Sequence, residues 1–338
     1  MKIQEALHKV VGGVDLTEKE MVSVMGQIME GEALVSQMSA FLTALRMKGE
    51  SISEIVGAAR VMRKKAESLN VAPGKIVDTC GTGGDGGSTF NISTASAFVV
   101  AGAGITVAKH GNRAVSSRSG SADVLKCLGV NIEAEKSVVE KCLDETGIGF
   151  LFAPLMHWAM KHAAGVRKEL GFRTIFNLLG PLTNPARAQA QVVGVFGSEW
   201  VLPIAQVLKD LGCRHAFVVH GADGLDEISL MDKTRVCELS NDRISEYILC
   251  PEDLGLDRCS PDKVQGGSPE ENAAIIRELL EGACGPKLDI VLLNASAAIR
   301  AGGEAGSLKE GLEIARKSIF SGAARQKLED LIRVSNSN

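Results

Sequence analysis

The stretch Lys75–Asp123, KIVDTCGTGGDGGSTFNISTASAFVVAGAGITVAKHGNRAVSSRSGSAD, constrains the fold of this chain most. A short β-type run, Lys75–Cys80, empties into a turn holding Gly81, Gly83, Gly84, Gly86 and Gly87. A helix of small residues follows, its start crowded with Ser88, Thr89, Asn91, Ser93 and Thr94. Strand, glycine turn and helix N-terminus together form an anion site. Glycine lets backbone N–H groups reach a ligand, and the helix dipole adds positive potential. From Gly86 to Ala122 there is no carboxylate, while Lys109, His110, Arg113 and Arg118 all occur. Such a strip suits a ligand with several negative charges, a phosphate compound.

Two familiar readings of a glycine loop fail here. Gly81–Gly86 matches G-x-G-x-x-G between a strand and a helix, but a dinucleotide site also needs an acid about 20 residues on to hold the ribose. That position falls near Lys109, and the first acid after Asp85 is Asp123. A P-loop needs Lys after its last glycine, where Gly87 stands. Asp85 is unusual in a phosphate cradle: either it turns outward to brace the loop backbone, or it contacts an amine, a hydroxyl or a metal. Lys109–Asn112 follows a predicted strand, Ile105–Ala108, and so lies at the strand edge where α/β proteins bind ligands. Farther on, Gly221–Glu227 follows another apolar strand and gathers Asp223, Asp226 and Glu227. This is either a solvated turn or a site for Mg²⁺, which takes hard oxygen ligands and shares itself with substrate phosphates. A cationic cradle and an acidic cluster in one α/β domain imply a Mg-polyphosphate substrate.

Composition narrows the partners. A net charge of −4 and only 4% aromatics argue against a nucleic-acid binder, which would be basic and supplied with stacking rings. The cysteines at 80, 127, 142, 213, 237, 250, 259 and 284 show no CxxC spacing and no zinc-like cluster. Reduced thiols and a cytoplasmic location are therefore expected. The longest apolar run, around Phe98–Ala108, is too short to span a bilayer, so no membrane contact is expected.

The organisation follows from periodicity. Residues 1 to about 70 carry helical spacing only, beginning with Ile3, Ala6, Leu7 and Val10. Thr17–Glu20 and Ser51–Glu54 are capping boxes. They open helices with Met21, Val24, Met25 and Ile28, and over Ile55–Glu67; between them Ala33–Met47 puts Leu34, Met38, Phe41, Leu42 and Leu45 on one face. Beyond Pro73-Gly74 strands and helices alternate: Ala122–Leu128 (helix), Ile148–Phe152 (strand), Val192–Phe196 (strand), Trp200–Leu211 (helix) and Ala216–His220 (strand). Thr234–Leu239 and Arg243–Leu249 read as an antiparallel pair, Ser268–Glu271 caps a further helix, and Leu288–Leu293 reads as a strand. The expected fold is a small all-helical N-terminal domain, residues 1–70, plus a large α/β domain with a mostly parallel central sheet, residues 71–156 and 188–338. The segment 157–187, helical and irregular, is expected to pack back onto the helical domain.

The segments DTCGTGGDGGSTFNISTASA, AKHGNRAVSSRSGSADVL, GVRKELGFRTIFNLLGPLTNPA and HGADGLDEIS closely resemble the motifs of the anthranilate phosphoribosyltransferase family of the tryptophan pathway. The likeness runs in order from the helical segment to the final helices. Its one departure is Arg118, where the family would carry Lys, and either cation can hold a phosphate. The resemblance implies the nucleoside phosphorylase-like fold and a homodimer formed through the helical domain. It also implies Mg²⁺-dependent transfer of the phosphoribosyl group of 5-phosphoribosyl-1-pyrophosphate (PRPP) to the amino group of anthranilate, releasing pyrophosphate. By motif position, Gly81, Thr82, Gly83, Gly84 and Asp85 would line the pyrophosphate and ribose. Ser88, Thr89, Asn91, Ser93 and Thr94 would hold phosphate at the helix start, with Lys109 and Ser121 adding contacts. Asp226, Glu227 and Ser93 would bind Mg²⁺. Gly81, His110, Asn112, His157, Arg167 and Pro181 would shape the anthranilate site, Arg167 pairing the carboxylate.

Displacing pyrophosphate from C1 of ribose develops oxocarbenium character on the sugar and negative charge on the leaving group. Loop amides, Lys109 and Mg²⁺ would stabilise that charge. An arylamine needs no strong base early in attack, so no general base is nominated; His110 is the nearest candidate. Two other readings stay open, a pyrimidine nucleoside phosphorylase of the same fold and a non-catalytic relative that binds nucleic acid. The Asp226-Glu227 pair counts against both, and the KHGN and VRKELGFRT segments count against the phosphorylase.

Overall fold

A computed structural model describes residues 1–71, 75–83, 89–114 and 118–337. It opens with α1 (Ile3–Val11), α2 (Glu18–Glu30), α3 (Val35–Lys48) and α4 (Ile52–Lys65). Thr17 and Ser51 cap α2 and α4, and Glu20 and Glu54 accept the cap N–H groups at 3.0 and 2.7 Å. Glu54 does more than cap. Fully buried, it also accepts the Leu16 N–H at 2.9 Å and pairs with Lys48 at 2.9 Å. These donors offset the cost of burying its charge. Met21, Val24, Met25, Ile28, Met38, Phe41, Leu42 and Leu45 are buried as their spacing predicts. Leu34 is not: it is the N-cap of α3 and stays exposed, as do Val11, Val35 and Met47.

The α/β part runs β1 (Ile76–Gly81), α5 (Ile92–Gly102), β2 (Thr106–Gly111), α6 (Ser121–Leu128), α7 (Lys136–Thr146) and β3 (Ile148–Phe152). A helical excursion follows through α8 (Ala153–Met156), α9 (Lys161–Leu170) and α10 (Ile175–Leu179). Alternation then resumes with β4 (Ala190–Gly194), α11 (Val201–Asp210), β5 (His215–Gly221), β6 (Thr234–Ser240) and β7 (Arg243–Leu249). The chain closes with α12 (Pro269–Leu280), α13 (Pro286–Ala301), α14 (Leu308–Phe320) and α15 (Ala323–Ser335). One seven-stranded sheet forms in the order β3-β2-β1-β4-β5-β6-β7. It is parallel from β3 to β5 and antiparallel at β6 and β7. The chain builds outward from β1 on one side and then from β4 on the other. Strand order therefore reverses between β1 and β4, and such a switch point leaves a crevice at the carboxyl ends of the strands. Gly81 and Gly194, paired in register, end the two strands there.

The expected strand at Leu288–Leu293 is instead the first half of α13. Nearly the whole helix is buried, from Leu288 through Ile299, and it packs against α5, α14 and the sheet. A short, mostly apolar run fits a buried helix as well as it fits a central strand. The sequence reading also passes over α7, whose Val139, Cys142, Leu143 and Thr146 are buried at helical spacing. The core lies on both faces of the sheet. On one face α5, α13 and α14 cover Val77, Val107 and Phe217. On the other, Val193 and Val218 join α11 and then the helical layer, where Ile55 and Leu45 pack with Ala163, Phe176 and Leu179 of α9 and α10. Among the described residues no helix is long and apolar enough to cross a membrane. All eight cysteines are free thiols.

Candidate active site

A cavity of about 660 Å³ opens at the switch point between the sheet and the helical layer. At one end the tip of β1, the start of α5 and the loop after β5 converge. Thr82 is pinned there: its N–H reaches the Gly194 carbonyl at 2.9 Å, and its hydroxyl accepts the Phe196 N–H at 2.9 Å. Gly83 donates its N–H to Asp226 at 2.9 Å, and Ser93 donates its own to Glu227 at 3.1 Å. Two neighbouring acids thus sit against the tip of β1 and the start of α5. Room for them depends on glycine. A Cβ at Gly81 would run into the Asp226 carboxylate, and one at Gly194 into the Asp226 carbonyl. Asp223 is not part of this arrangement. It accepts the Ser229 hydroxyl at 2.6 Å and the Leu225 N–H at 3.2 Å, bracing its own turn. The acidic cluster read from the sequence narrows to a pair.

Asp226, Glu227 and the Ser93 hydroxyl are hard oxygen donors of the kind Mg²⁺ takes. Among the described residues no group of three or more His, Cys, Asp or Glu converges as a metal cage. Two carboxylates and a hydroxyl suit an ion whose other ligands are water and substrate phosphate. The residues fit a shared Mg²⁺.

Lys109 lies buried within β2, its Nζ 2.6 Å from the Thr79 carbonyl and 3.3 Å from the Ser93 hydroxyl. Burial lowers its pKa, and Asp78, Cys80 and Glu227 oppose that shift. The Thr94 hydroxyl is buried beside it with no hydrogen-bond partner. Thr89 and Ser121 also line the cavity, and the Ser121 hydroxyl donates to the Asn112 carbonyl at 3.3 Å. Asn91 lines the cavity too; its amide donates to the Ser119 carbonyl at 3.1 Å, and its oxygen accepts Ser119 and Asn272 at 3.2 and 3.0 Å. Arg113 pairs with Asp123 and Glu133 at 3.7 and 3.1 Å, so the basic strip is less available to a ligand than its sequence implies. Gly84, Asp85 and Ser88 lie outside the described residues.

The other end of the cavity is aromatic and apolar, built from the end of β2 and from α8 to α10. His110 and His157 face each other with ring centroids 5.0 Å apart. His110 Nδ1 lies 3.2 Å from the Gly180 carbonyl. A carbonyl only accepts, so Nδ1 carries the proton and Nε2 is a bare acceptor. Both Nε2 atoms are buried without a partner, an unusual state that calls for a ligand donor. Burial, with His157 adding to it, pushes His110 down to about 3, and burial pushes His157 down to about 4. Both rings are therefore neutral near pH 7, suited to accept N–H groups and too weakly basic to drive deprotonation. Arg167 on α9 lies over Phe176, 5.2 Å from its centroid, and burial is the one influence on its pKa. Asn112 and Pro181 complete this wall.

Several lining residues escaped the sequence reading. Arg173, 4.4 Å over the Phe196 ring, lay within the recognised GFRT segment. Trp158 with Lys161 5.0 Å above it, and Met62 of α4, carried no local signal.

A helical bundle set beside a mainly parallel sheet, with a phosphate-type end and an aromatic end in one cleft, defines a group-transferring enzyme. The helical bundle domain of the glycosyl transferase family matches residues 4–66 and its a/b domain matches residues 73–325; the chain belongs to this family. Its relatives include the anthranilate phosphoribosyltransferase of Geobacter sulfurreducens, 53% identical over 99% of this chain and 99% of that one. That of Anaeromyxobacter sp. (strain K) is 56% identical over 98% of each. Among solved structures, anthranilate phosphoribosyltransferase from Thermus thermophilus superposes with TM-score 0.94 at 46% identity, covering 98% of this chain and 99% of that one. The Saccharomyces cerevisiae enzyme in complex with PRPP and Mg gives TM-score 0.90 at 30% identity, covering 99% and 98%.

Proposed function

We propose that this chain transfers the 5-phosphoribosyl group of PRPP to the amino group of anthranilate, releasing pyrophosphate, as a cytoplasmic enzyme of tryptophan biosynthesis. The observation that carries this reading is the two-ended cavity, with Lys109 and the Asp226-Glu227 pair at one end and two bare neutral imidazoles with Arg167 at the other. The likeness of the whole chain to enzymes of that name supports it.

The donor binds with its phosphates against the amides at the tip of β1 and the start of α5, beside Lys109 and Ser93. Asp226, Glu227 and Ser93 would hold Mg²⁺, which when bound would supply positive charge for the departing pyrophosphate. Lys109, held in place by the Thr79 carbonyl, adds a second positive charge that needs no reorganisation during reaction. At the acceptor end Arg167 pairs with the anthranilate carboxylate. The Nε2 atoms of His110 and His157 accept the amine hydrogens, aiming the nitrogen lone pair at C1 of the ribose. Asn112 and Pro181 bound the ring. Catalysis is then mainly orientation and leaving-group stabilisation.

The chain divides into a helical unit of residues 1–70 with 157–187 packed on it, and an α/β unit of residues 71–156 and 188–338. The core shared by α9, α10 and the first helices supports that division. Two copies associate through the helical unit, a reading supported by the exposed Val11, Leu34, Val35 and Met47. Purified protein with PRPP, Mg²⁺ and anthranilate should consume anthranilate fluorescence. No loss of fluorescence, alongside phosphorolysis of uridine or thymidine, would refute the assignment.

A further inference from the structure

We propose that Asp78 is a positioning residue for this transfer, its buried carboxylate holding two walls of the cleft at one spacing. The inference rests on the functional reading above and deepens it. Asp78 lies within β1 and is completely buried. One carboxylate oxygen accepts the His110 N–H at 3.2 Å, and the other accepts the Asn184 side-chain amide at 2.8 Å. The same Asn184 amide continues to the Ala108 carbonyl at 2.8 Å, while its oxygen accepts the Ala186 N–H at 2.9 Å. One acid therefore ties the end of β2, which carries Lys109 and His110, to the turn that carries Gly180 and Pro181. That turn is clamped from two other sides. Gln191 donates to the Pro181 carbonyl at 2.9 Å, and Arg63 of α4 donates to the Leu182 carbonyl at 2.6 Å. The link matters chemically because the Gly180 carbonyl sets which nitrogen of His110 is left bare.

The choice of a carboxylate is informative. Burial pushes the Asp78 pKa up, against the pull of nearby Lys109 and of its hydrogen-bond donors. A buried carboxylate is far more expensive than a buried amide. An amide, however, would turn an N–H toward a donor that already faces this position, either His110 or Asn184. Only an acceptor at both oxygens satisfies the two walls at once.

The test compares Asp78→Asn and Asn184→Ala in the full chain with PRPP, Mg²⁺ and anthranilate, well below the melting temperature. Each variant should lower kcat/KM for anthranilate about 30- to 100-fold, the scale of an ångström-sized misplacement. For Asn184→Ala the PRPP KM should stay within about 3-fold, because its bonds end on the acceptor wall; Asp78→Asn also removes the charge that faces Lys109, so its PRPP KM is not part of the criterion. The double variant should lose no more than about 3-fold beyond the worse single variant, since both break one link. A lower Tm with unchanged kinetic constants, an equal rise in both KM values of Asn184→Ala, or fully multiplicative losses in the double variant would each overturn the proposal. If Asp78→Asn does not fold, Asn184→Ala alone decides by the same kinetic criteria. Wild-type turnover in the same series separates the two claims: its absence removes the functional reading, whereas its presence with unaffected variants removes this one.

Discussion

Arg167→Ala isolates the acceptor end of the cleft. The guanidinium stacks on Phe176 at 5.2 Å and burial has lowered its pKa. A charge-assisted pair between such a group and a ligand carboxylate is worth about 2–3 kcal/mol. At about 1.4 kcal/mol per tenfold, that predicts a rise in the anthranilate KM of about 30- to 150-fold. The PRPP KM should change by about 2-fold or less, the scatter of a distant, independent site, because the elements proposed to hold the phosphates are β1, α5 and Lys109. Losing the stack on Phe176 should cost the fold only about 0.5–1 kcal/mol, a shift in Tm of about 1–2 °C. Initial rates from anthranilate fluorescence, with each substrate varied in turn, give both constants. The variant should also discriminate less than the wild type between anthranilate and aniline, which lacks the carboxylate. An equal rise in both KM values, or an unchanged anthranilate KM, would refute the pairing.

Replacing Asp226 by Asn together with Glu227 by Gln should raise the Mg²⁺ needed for half-maximal rate about tenfold or more; an unchanged Mg²⁺ dependence would reduce the pair to a turn. Gly194→Ala drives a Cβ into the Asp226 carbonyl and should cost about 1–3 kcal/mol of stability. It should also lower kcat/KM for PRPP, and a folded variant with normal PRPP kinetics would contradict the close approach. The two histidines make stability pH-dependent, since their folded pKa values, about 3 and about 4, lie below the ordinary 6.5. Below 6.5 the unfolded chain takes up protons that the folded chain refuses. Their contribution is therefore complete above about pH 6.5 and lost as pH falls toward 4. Tm should drop over that window, and His157→Gln should make the drop shallower; an equally steep drop would place the titration elsewhere.

The sequence made the architecture legible where a pattern was both long and local. The capping boxes at Thr17 and Ser51 located α2 and α4, and the run from Lys75 into the glycines located β1. Leu288–Leu293 was misread because five apolar residues broken only by Asp289 do not reveal their period. The stretch Asn294-Ala-Ser-Ala-Ala-Ile299 beyond it continues as helix, with Pro286 in the first turn. At the site, residue types were legible and their bonding was not. Gly83 and Asp226 are 143 positions apart, Asp78 and Asn184 are 106 apart, and no local spacing announces either pair. The diversion of Asn91 to Ser119 and Asn272, and of Arg113 to Asp123 and Glu133, likewise appears only once the chain is folded. The histidines illustrate the same limit. His110 was the nearest candidate for a base, with none nominated, whereas burial makes both rings neutral acceptors.

The most direct test of the central claim is ³¹P NMR of the wild-type protein with PRPP, Mg²⁺ and anthranilate. The two-ended cleft predicts pyrophosphate and a phosphoribosylated arylamine in equal amounts, with neither formed when anthranilate is withheld. Pyrophosphate release that proceeds equally without anthranilate, or PRPP left intact in the full mixture, would contradict it.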